Sequence, residues 1–198
     1  MRIVKNIQIA GLVFLLFSLT GCVSNPSLRA IDPARNIPIS DLNHWQFKAR
    51  VAIKTPEESV TASLEWQKDQ SLFDFLLSGS FGVTIAHLTQ QDDVATLKIP
   101  DTDKLVDRDA GQLLNQTLGW EFPINELSYW IKGLPSGRSG EQINYNDKGQ
   151  ISSIALDEWQ IHFSKYRLYQ GYSLPKMIKA THPDISLKVV AKKWLFLQ

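Results

Sequence analysis

Cysteine is nearly absent: of 198 residues only Cys22 is one, so no disulfide can form within the chain. Charge of one sign is lacking too. Lys and Arg number 21 against 20 Asp and Glu, the net charge is +1, and no basic run marks a phosphate-binding footprint. Nucleic acid is therefore not an expected partner. Metal chemistry has little to work with, because His44, His87, His162 and His182 fall at no ligand spacing and no H-E-x-x-H occurs. Neither Gly79-Ser80-Phe81-Gly82 nor Gly137-Arg138-Ser139-Gly140 forms a nucleophile elbow, and no phosphate-cradling glycine loop is present. The expectation is a protein with no catalytic residues, no metal and no cofactor. Disorder is excluded by the 43% hydrophobic content, and the length suits one domain of ordinary size.

What is there begins at the N-terminus. Arg2 and Lys5 form a short basic head, Ile7 to Leu19 is almost unbroken apolar sequence, and Leu19-Thr20-Gly21-Cys22 follows at once. Thirteen residues are well short of the roughly 20 that a spanning helix needs. The pattern reads as a signal peptide over residues 1–21 ending in a lipobox, with Cys22 as the acylated first residue of the mature chain. Cleavage there leaves 177 residues carrying 19 basic and 20 acidic side chains, a net charge of −1. Position 23 is Val rather than Asp, the usual inner-membrane retention residue, so delivery to the outer membrane is expected. Residues 22–40, with Pro26, Pro33 and Pro38, read as a lipidated tether and residues 41–198 as the folded domain.

Within that domain the apolar residues recur every second position. Trp45, Phe47, Ala49, Val51 and Ile53 predict a half-buried strand, and Val60, Ala62, Leu64 and Trp66 its hairpin partner across Thr55-Pro56-Glu57-Glu58. A third strand, Leu72–Leu77, is apolar on both faces, and Val83–Thr89 and Val94–Ile99 continue the series. Between Asp109 and Gly133 the spacing lengthens to three and four, predicting two short helices separated by Gly119 and Pro123. Strands return over 142–146, 151–156, 159–166, 174–181 and 185–194. About ten to eleven antiparallel strands with a helical insert make a mainly β, half-open barrel whose mouth the insert covers.

One face of these strands is heavily apolar and aromatic: Phe47, Val51, Leu64, Trp66, Phe73, Phe75, Trp159, Ile161 and Phe163. Such residues pack a core in most proteins. A barrel of eight strands or more can instead enclose a small ligand, and periodicity does not separate filled from hollow.

Four segments carry a family resemblance. They are Trp45-Gln46-Phe47-Lys48-Ala49-Arg50-Val51-Ala52, Phe75-Leu76-Leu77 running into Gly82, Trp130-Ile131-Lys132-Gly133-Leu134-Pro135, and the tail from Leu174-Pro175 through Trp194. Together with the lipobox and the order strand, helix, strand, they resemble the LolB family of outer-membrane lipoprotein receptors over essentially the whole chain after the tether. The resemblance implies a cavity for lipoprotein acyl chains, to which Phe47, Val51, Leu64, Trp66, Phe75, Trp130, Ile131 and Phe163 are assigned. It implies a monomer anchored through Cys22 to membrane lipid on the periplasmic face of the outer membrane. It implies acylated lipoprotein as cargo and the periplasmic carrier LolA as partner. It further implies an exposed apolar residue in the loop between the third and fourth strands, here Phe81 between Gly79 and Gly82. Where the family loop commonly reads Pro-Leu-Gly, this chain has Ser80-Phe81-Gly82. The residues themselves leave two conformations open, a projecting tip or a phenylalanine folded back to cap the barrel. Other readings are a carrier of another amphiphile such as a glycolipid or phospholipid, a structural lipoprotein with a filled core, and an envelope hydrolase.

Overall fold

The computed structural model describes residues 37–70, 72–118 and 122–197. The signal peptide, Cys22, most of the tether and the Gly119 helix break lie outside the described residues. Among the described residues there are thirteen strands: β1 (His44–Lys54), β2 (Ser59–Asp69), β3 (Leu72–Ser78), β4 (Thr84–Gln91), β5 (Val94–Lys98), β6 (Leu105–Asp107), β7 (Gln142–Tyr145), β8 (Ile151–Leu156), β9 (Trp159–Ser164), β10 (Arg167–Tyr169), β11 (Tyr172–Leu174), β12 (Met177–His182) and β13 (Ile185–Phe196). Two helices, α1 (Ala110–Leu118) and α2 (Ile124–Trp130), fall between β6 and β7.

Eleven strands form one antiparallel sheet in the order β6-β5-β4-β3-β2-β1-β13-β12-β9-β8-β7. The first six are hairpin-connected neighbours. The last strand of the chain then returns to the free side of β1, which places β1 centrally. The sheet does not close, and its two edges, β6 and β7, are consecutive in sequence apart from the helices. Crossing from one edge to the other therefore carries α1 and α2 over the gap, where α1 packs on β4, β5 and β6. β10 and β11 form a separate ribbon at the end where β1 starts. Its Tyr172 hydroxyl donates to the Ile37 carbonyl at 2.8 Å, and its Gln170 side chain accepts from the Phe196 backbone N–H at 2.7 Å.

Three expected boundaries are corrected. A short sixth strand, β6, follows β5; nothing in Leu105-Val106-Asp107 alternates for long enough to announce it. The single strand expected over 174–181 is divided between β11 and β12. The division falls at Pro175, which has no N–H to give a ladder. The strand expected over 159–166 stops at Ser164, because Lys165 turns into left-handed backbone at φ 56°.

The helix end Trp130-Ile131-Lys132-Gly133-Leu134-Pro135 is where the insert is seated. Gly133 has φ +70°, and a Cβ there would meet Pro175 Cδ and the Tyr166 hydroxyl, each at 3.0 Å, so glycine alone fits. That hydroxyl donates to the Ile151 carbonyl at 2.6 Å, and burial pushes the Tyr166 pKa up to about 12, so it remains a donor. Glu141 holds the following turn. It accepts from Trp130 Nε1, the Ser136 N–H and the Gly137 N–H at 3.0 Å each, and from Ser136 Oγ at 2.8 Å. Burial raises the Glu141 pKa, but these hydrogen bonds outweigh it and leave the group below its ordinary value. Arg138 ties the same turn to Glu126 of α2 at 3.5 Å and to Asp157 between β8 and β9 at 3.1 Å.

Lys132 is only 6% exposed and has no ion-pair partner among the described residues; its ammonium lies 5.4 Å from the centroid of the Tyr129 ring. Burial, with Lys68 adding repulsion, pulls its pKa from 10.5 down to about 8.

Two outcomes are expected. Glu141→Ala strands four donors, one on a buried indole, and should cost about 2–3 kcal/mol in urea unfolding; a loss below about 0.5 kcal/mol would show that Glu141 does not seat the insert. For Lys132, the unfolded chain binds the extra proton between its folded and unfolded pKa values. Stability should therefore rise with pH from about 8 to 10.5. Lys132→Met should flatten that rise and add about 2 kcal/mol at pH 7, read by denaturant midpoints across the window.

Candidate functional site

Side chains that point inward from neighbouring strands lie level with one another, and this register stacks the barrel interior in layers. At the end where β1 begins, Phe47 is opposite Trp66 and Trp194, and Trp66 is opposite Phe75. Trp45 and Trp66 meet edge to face at 5.4 Å between centroids, Trp45 and Trp194 at 5.5 Å, and Phe47 lies 4.4 Å from Trp194. The indole nitrogens of Trp45, Trp66 and Trp194 are buried without a hydrogen-bond partner among the described residues, so these rings are held by packing and ring electrostatics alone. This end is filled.

One layer further along, the opposed residues are small. Ala49 is opposite Ala191 and Leu64, Leu64 is opposite Leu77, and Leu77 is opposite Ala86; Ala62 follows beside Val51. Alanines and leucines cannot reach the barrel axis from every side. A cavity of about 470 Å³ results. Val51, Leu64, Phe75, Leu77, Leu88, Leu97, Leu187 and Val189 wall it from the sheet, while Leu114, Ile124, Leu127 and Ile131 roof it from the insert. Polar neighbours are confined to Thr55, Glu57, Thr117 and Asp184. Thr55, Glu57 and Asp184 belong to the turns after β1 and β12, so the cavity lies toward the end where those strands finish.

Of the eight residues assigned to the cavity, Val51, Leu64, Phe75 and Ile131 line it. The other four, Phe47, Trp66, Trp130 and Phe163, are buried but lie outside its lining. Phe47 and Trp66 belong to the filled aromatic layer, Trp130 turns its indole N–H to Glu141, and Phe163 is level with Val51 through Ile178 and Val189 yet stays outside the lining; of the assigned aromatic residues only Phe75 reaches the hollow. Leu77, Leu88, Leu97, Leu187 and Val189 were missed. Their signal was the same period-two spacing, in strands where aliphatic residues carry it.

At the open end stands the turn between β3 and β4. Ser80–Gly82 is one 3₁₀ turn closed by the Gly79 N–H donating to the Val83 carbonyl at 2.8 Å. Phe81 is fully exposed, at 105% of its reference area, and Val83 beside it is 64% exposed. The projecting conformation is the one adopted. Phe81 holds left-handed backbone, φ 59° and ψ 19°, and Gly82 follows at φ 77°. A bulky residue there costs on the order of 1 kcal/mol, and no packing contact returns it.

Other chemistry is sparse. Among the described residues no group of three or more His, Cys, Asp or Glu could hold a metal ion, and no helix is long and apolar enough to cross a membrane. Two carboxylates are paired on the outer face, Asp74 with His87 at 2.9 Å and Glu65 with Lys48 at 2.7 Å.

Sequence comparison relates the chain to known proteins. The family model for outer membrane lipoprotein LolB matches residues 43–194. An outer-membrane lipoprotein LolB of Marinomonas sp. (strain MWYL1) is 32% identical over 178 residues, covering 89% of this chain and 91% of its own. Another, of Pseudomonas fluorescens, is 30% identical over 157 residues, covering 79% and 77%. A solved LolA superfamily protein from Nitrosomonas europaea superposes with a TM-score of 0.48 at 4% identity, over 79% of this chain and 87% of that one. By the extent of the family match and the identity to these relatives, the chain belongs to the LolB family of outer-membrane lipoproteins.

Proposed function

We propose that this protein is a lipoprotein receptor of the outer membrane: it accepts acylated lipoproteins from the periplasmic carrier LolA into its cavity and inserts them into the bilayer. It works as a monomer, held at the periplasmic face by acylated Cys22, without nucleotide or other cofactor. The observation that carries the reading is an apolar hollow, plugged by aromatic rings at one end, with an exposed phenylalanine at the other end of the barrel.

Magnitudes support the division of labour. A triacylated cysteine carries about 45 methylenes, and at ~0.8 kcal/mol each its transfer from bilayer to water costs on the order of 35 kcal/mol. Cargo of this kind does not cross an aqueous space unaided; an apolar cavity on each side of the transfer removes most of that cost. Volume sets a further condition. At roughly 30 Å³ per water-sized group, a cavity of about 470 Å³ holds about one sixteen-carbon chain. Taking three chains requires α1 and α2 to move outward.

Phe81 contributes only about 1.5–3 kcal/mol on entering an apolar phase, so it cannot anchor the protein. Its role is to touch or perturb the bilayer while cargo leaves the cavity, and Gly79 and Gly82 shape the turn that presents it.

Incubation with lipoprotein-loaded carrier is the most direct test of the reading. Cargo should pass to the Cys22→Ala chain, and persistent retention by a cognate carrier would refute the proposal in favour of another amphiphile, to be sought by mass spectrometry of co-purified lipid. Ala86→Phe places a ring in the hollow layer and should cut cargo uptake at least tenfold while leaving the thermal midpoint level or higher. Phe81→Glu should accept cargo normally yet insert it poorly into liposomes, with a slightly unchanged or improved stability; full insertion by this variant would remove Phe81 from the mechanism.

A further inference from the structure

The outer face of the sheet carries a charge pattern that cargo handling in the cavity does not use. β1, β13 and β12 are adjacent, and together they carry seven Lys and Arg and no Asp or Glu. All seven, Lys48, Arg50, Lys54, Lys179, Lys188, Lys192 and Lys193, are exposed. Register sets like charges opposite one another: Lys48 with Lys193, and Lys179 with Lys188. Pairs of this kind destabilise a sheet. Among the described residues only Lys48 has a carboxylate partner, Glu65 of β2, and Arg50 reaches no acid but Ser63 Oγ at 3.0 Å. In a chain whose net charge is +1, this concentration is local.

We infer that the convex face of β1, β13 and β12 lies against anionic phospholipid headgroups, so that the barrel rests on its side on the bilayer. Charge complementarity is one argument. Reach is the second, and it rests on the proposed acylation of Cys22. Ile37, the first described residue, is bonded to Tyr172 at the end where β1 starts, whereas Phe81 stands level with the end where β1 finishes: Ser78 is opposite Ser63, and Ser63 is opposite Arg50. Eleven residues of β1 separate the two ends by about 35 Å. An end-on protein would need most of the ~50 Å that the 15 residues from Cys22 to Ile37 span when fully extended. Lying on the basic face brings both ends to the same surface, and the Phe81 turn, two strands from β1, stands at the patch margin.

Co-flotation of the Cys22→Ala chain with vesicles tests this directly, using phosphatidylethanolamine alone against a 3:1 mixture with phosphatidylglycerol. Binding should require the anionic lipid and fall as salt rises. Each cation contributes about fivefold to partition, so Arg50→Gln, Lys188→Gln and Lys193→Gln together should lose on the order of 100-fold. Lys98→Gln, Lys104→Gln and Lys148→Gln together change the net charge equally from other places and should lose no more than a few-fold. The three patch substitutions point outward and relieve repulsion, so near-ultraviolet circular dichroism and the thermal midpoint should be preserved. Equal binding to both vesicle types, or equal loss in both triple variants, overturns the inference. So does a patch variant that floats like its parent but no longer takes cargo from the carrier, since the face would then serve a protein. If the parent floats with anionic vesicles and never accepts cargo, the receptor proposal fails and this one stands.

Discussion

An interior that is left empty must be stabilised from outside itself. At ~24 cal/mol per Å³, a cavity of about 470 Å³ opened in a packed core would cost on the order of 10 kcal/mol, as much as the whole stability of many domains. This chain concentrates its packing where the cavity is not. Trp45, Trp66, Trp194, Phe47 and Phe196 form one contiguous aromatic floor, and the hollow begins in the layer where Ala49, Ala86 and Ala191 replace rings. The uncompensated indole N–H groups are consistent with this priority: size and shape were placed ahead of hydrogen bonding.

The insert inherits a related constraint. A roof over an apolar cavity has less to pack on above the hollow itself and is held at its flanks, where α1 packs on β4, β5 and β6. It is also fastened at its end, by Gly133 against Pro175 and Tyr166 and by Glu141 gathering donors from Trp130, Ser136 and Gly137. Arg138, shared between Glu126 and the surface residue Asp157, is a contact that water can replace at small cost.

Much of this was legible in the residues. Period two placed nine of the strands of the main sheet closely, and the change of period between Asp109 and Gly133 placed both helices. The cavity was legible only in part. Of the residues the resemblance assigns, Val51, Leu64 and Phe75 on strands and Ile131 just beyond α2 line the hollow, and alternation says only which side of a strand faces inward. It does not say how far along the barrel a residue lies or which side chains stand level with it, and that register decides between floor and hollow. Phe47 and Trp66 were therefore grouped with residues one layer above them. The exposure of Phe81 was equally undecided, because a glycine-flanked phenylalanine can turn either way and only its full exposure in the folded chain shows which way it went.

The two edges of the sheet never meet. In a closed barrel, strand number and stagger determine the circumference, so the interior has one size. Here β6 and β7 are joined only through the helical insert, and no ladder of hydrogen bonds resists their separation. Displacing the roof and widening the bore are consequently one motion. The seam sets no fixed circumference, so the girth of the bore goes with the position of the insert.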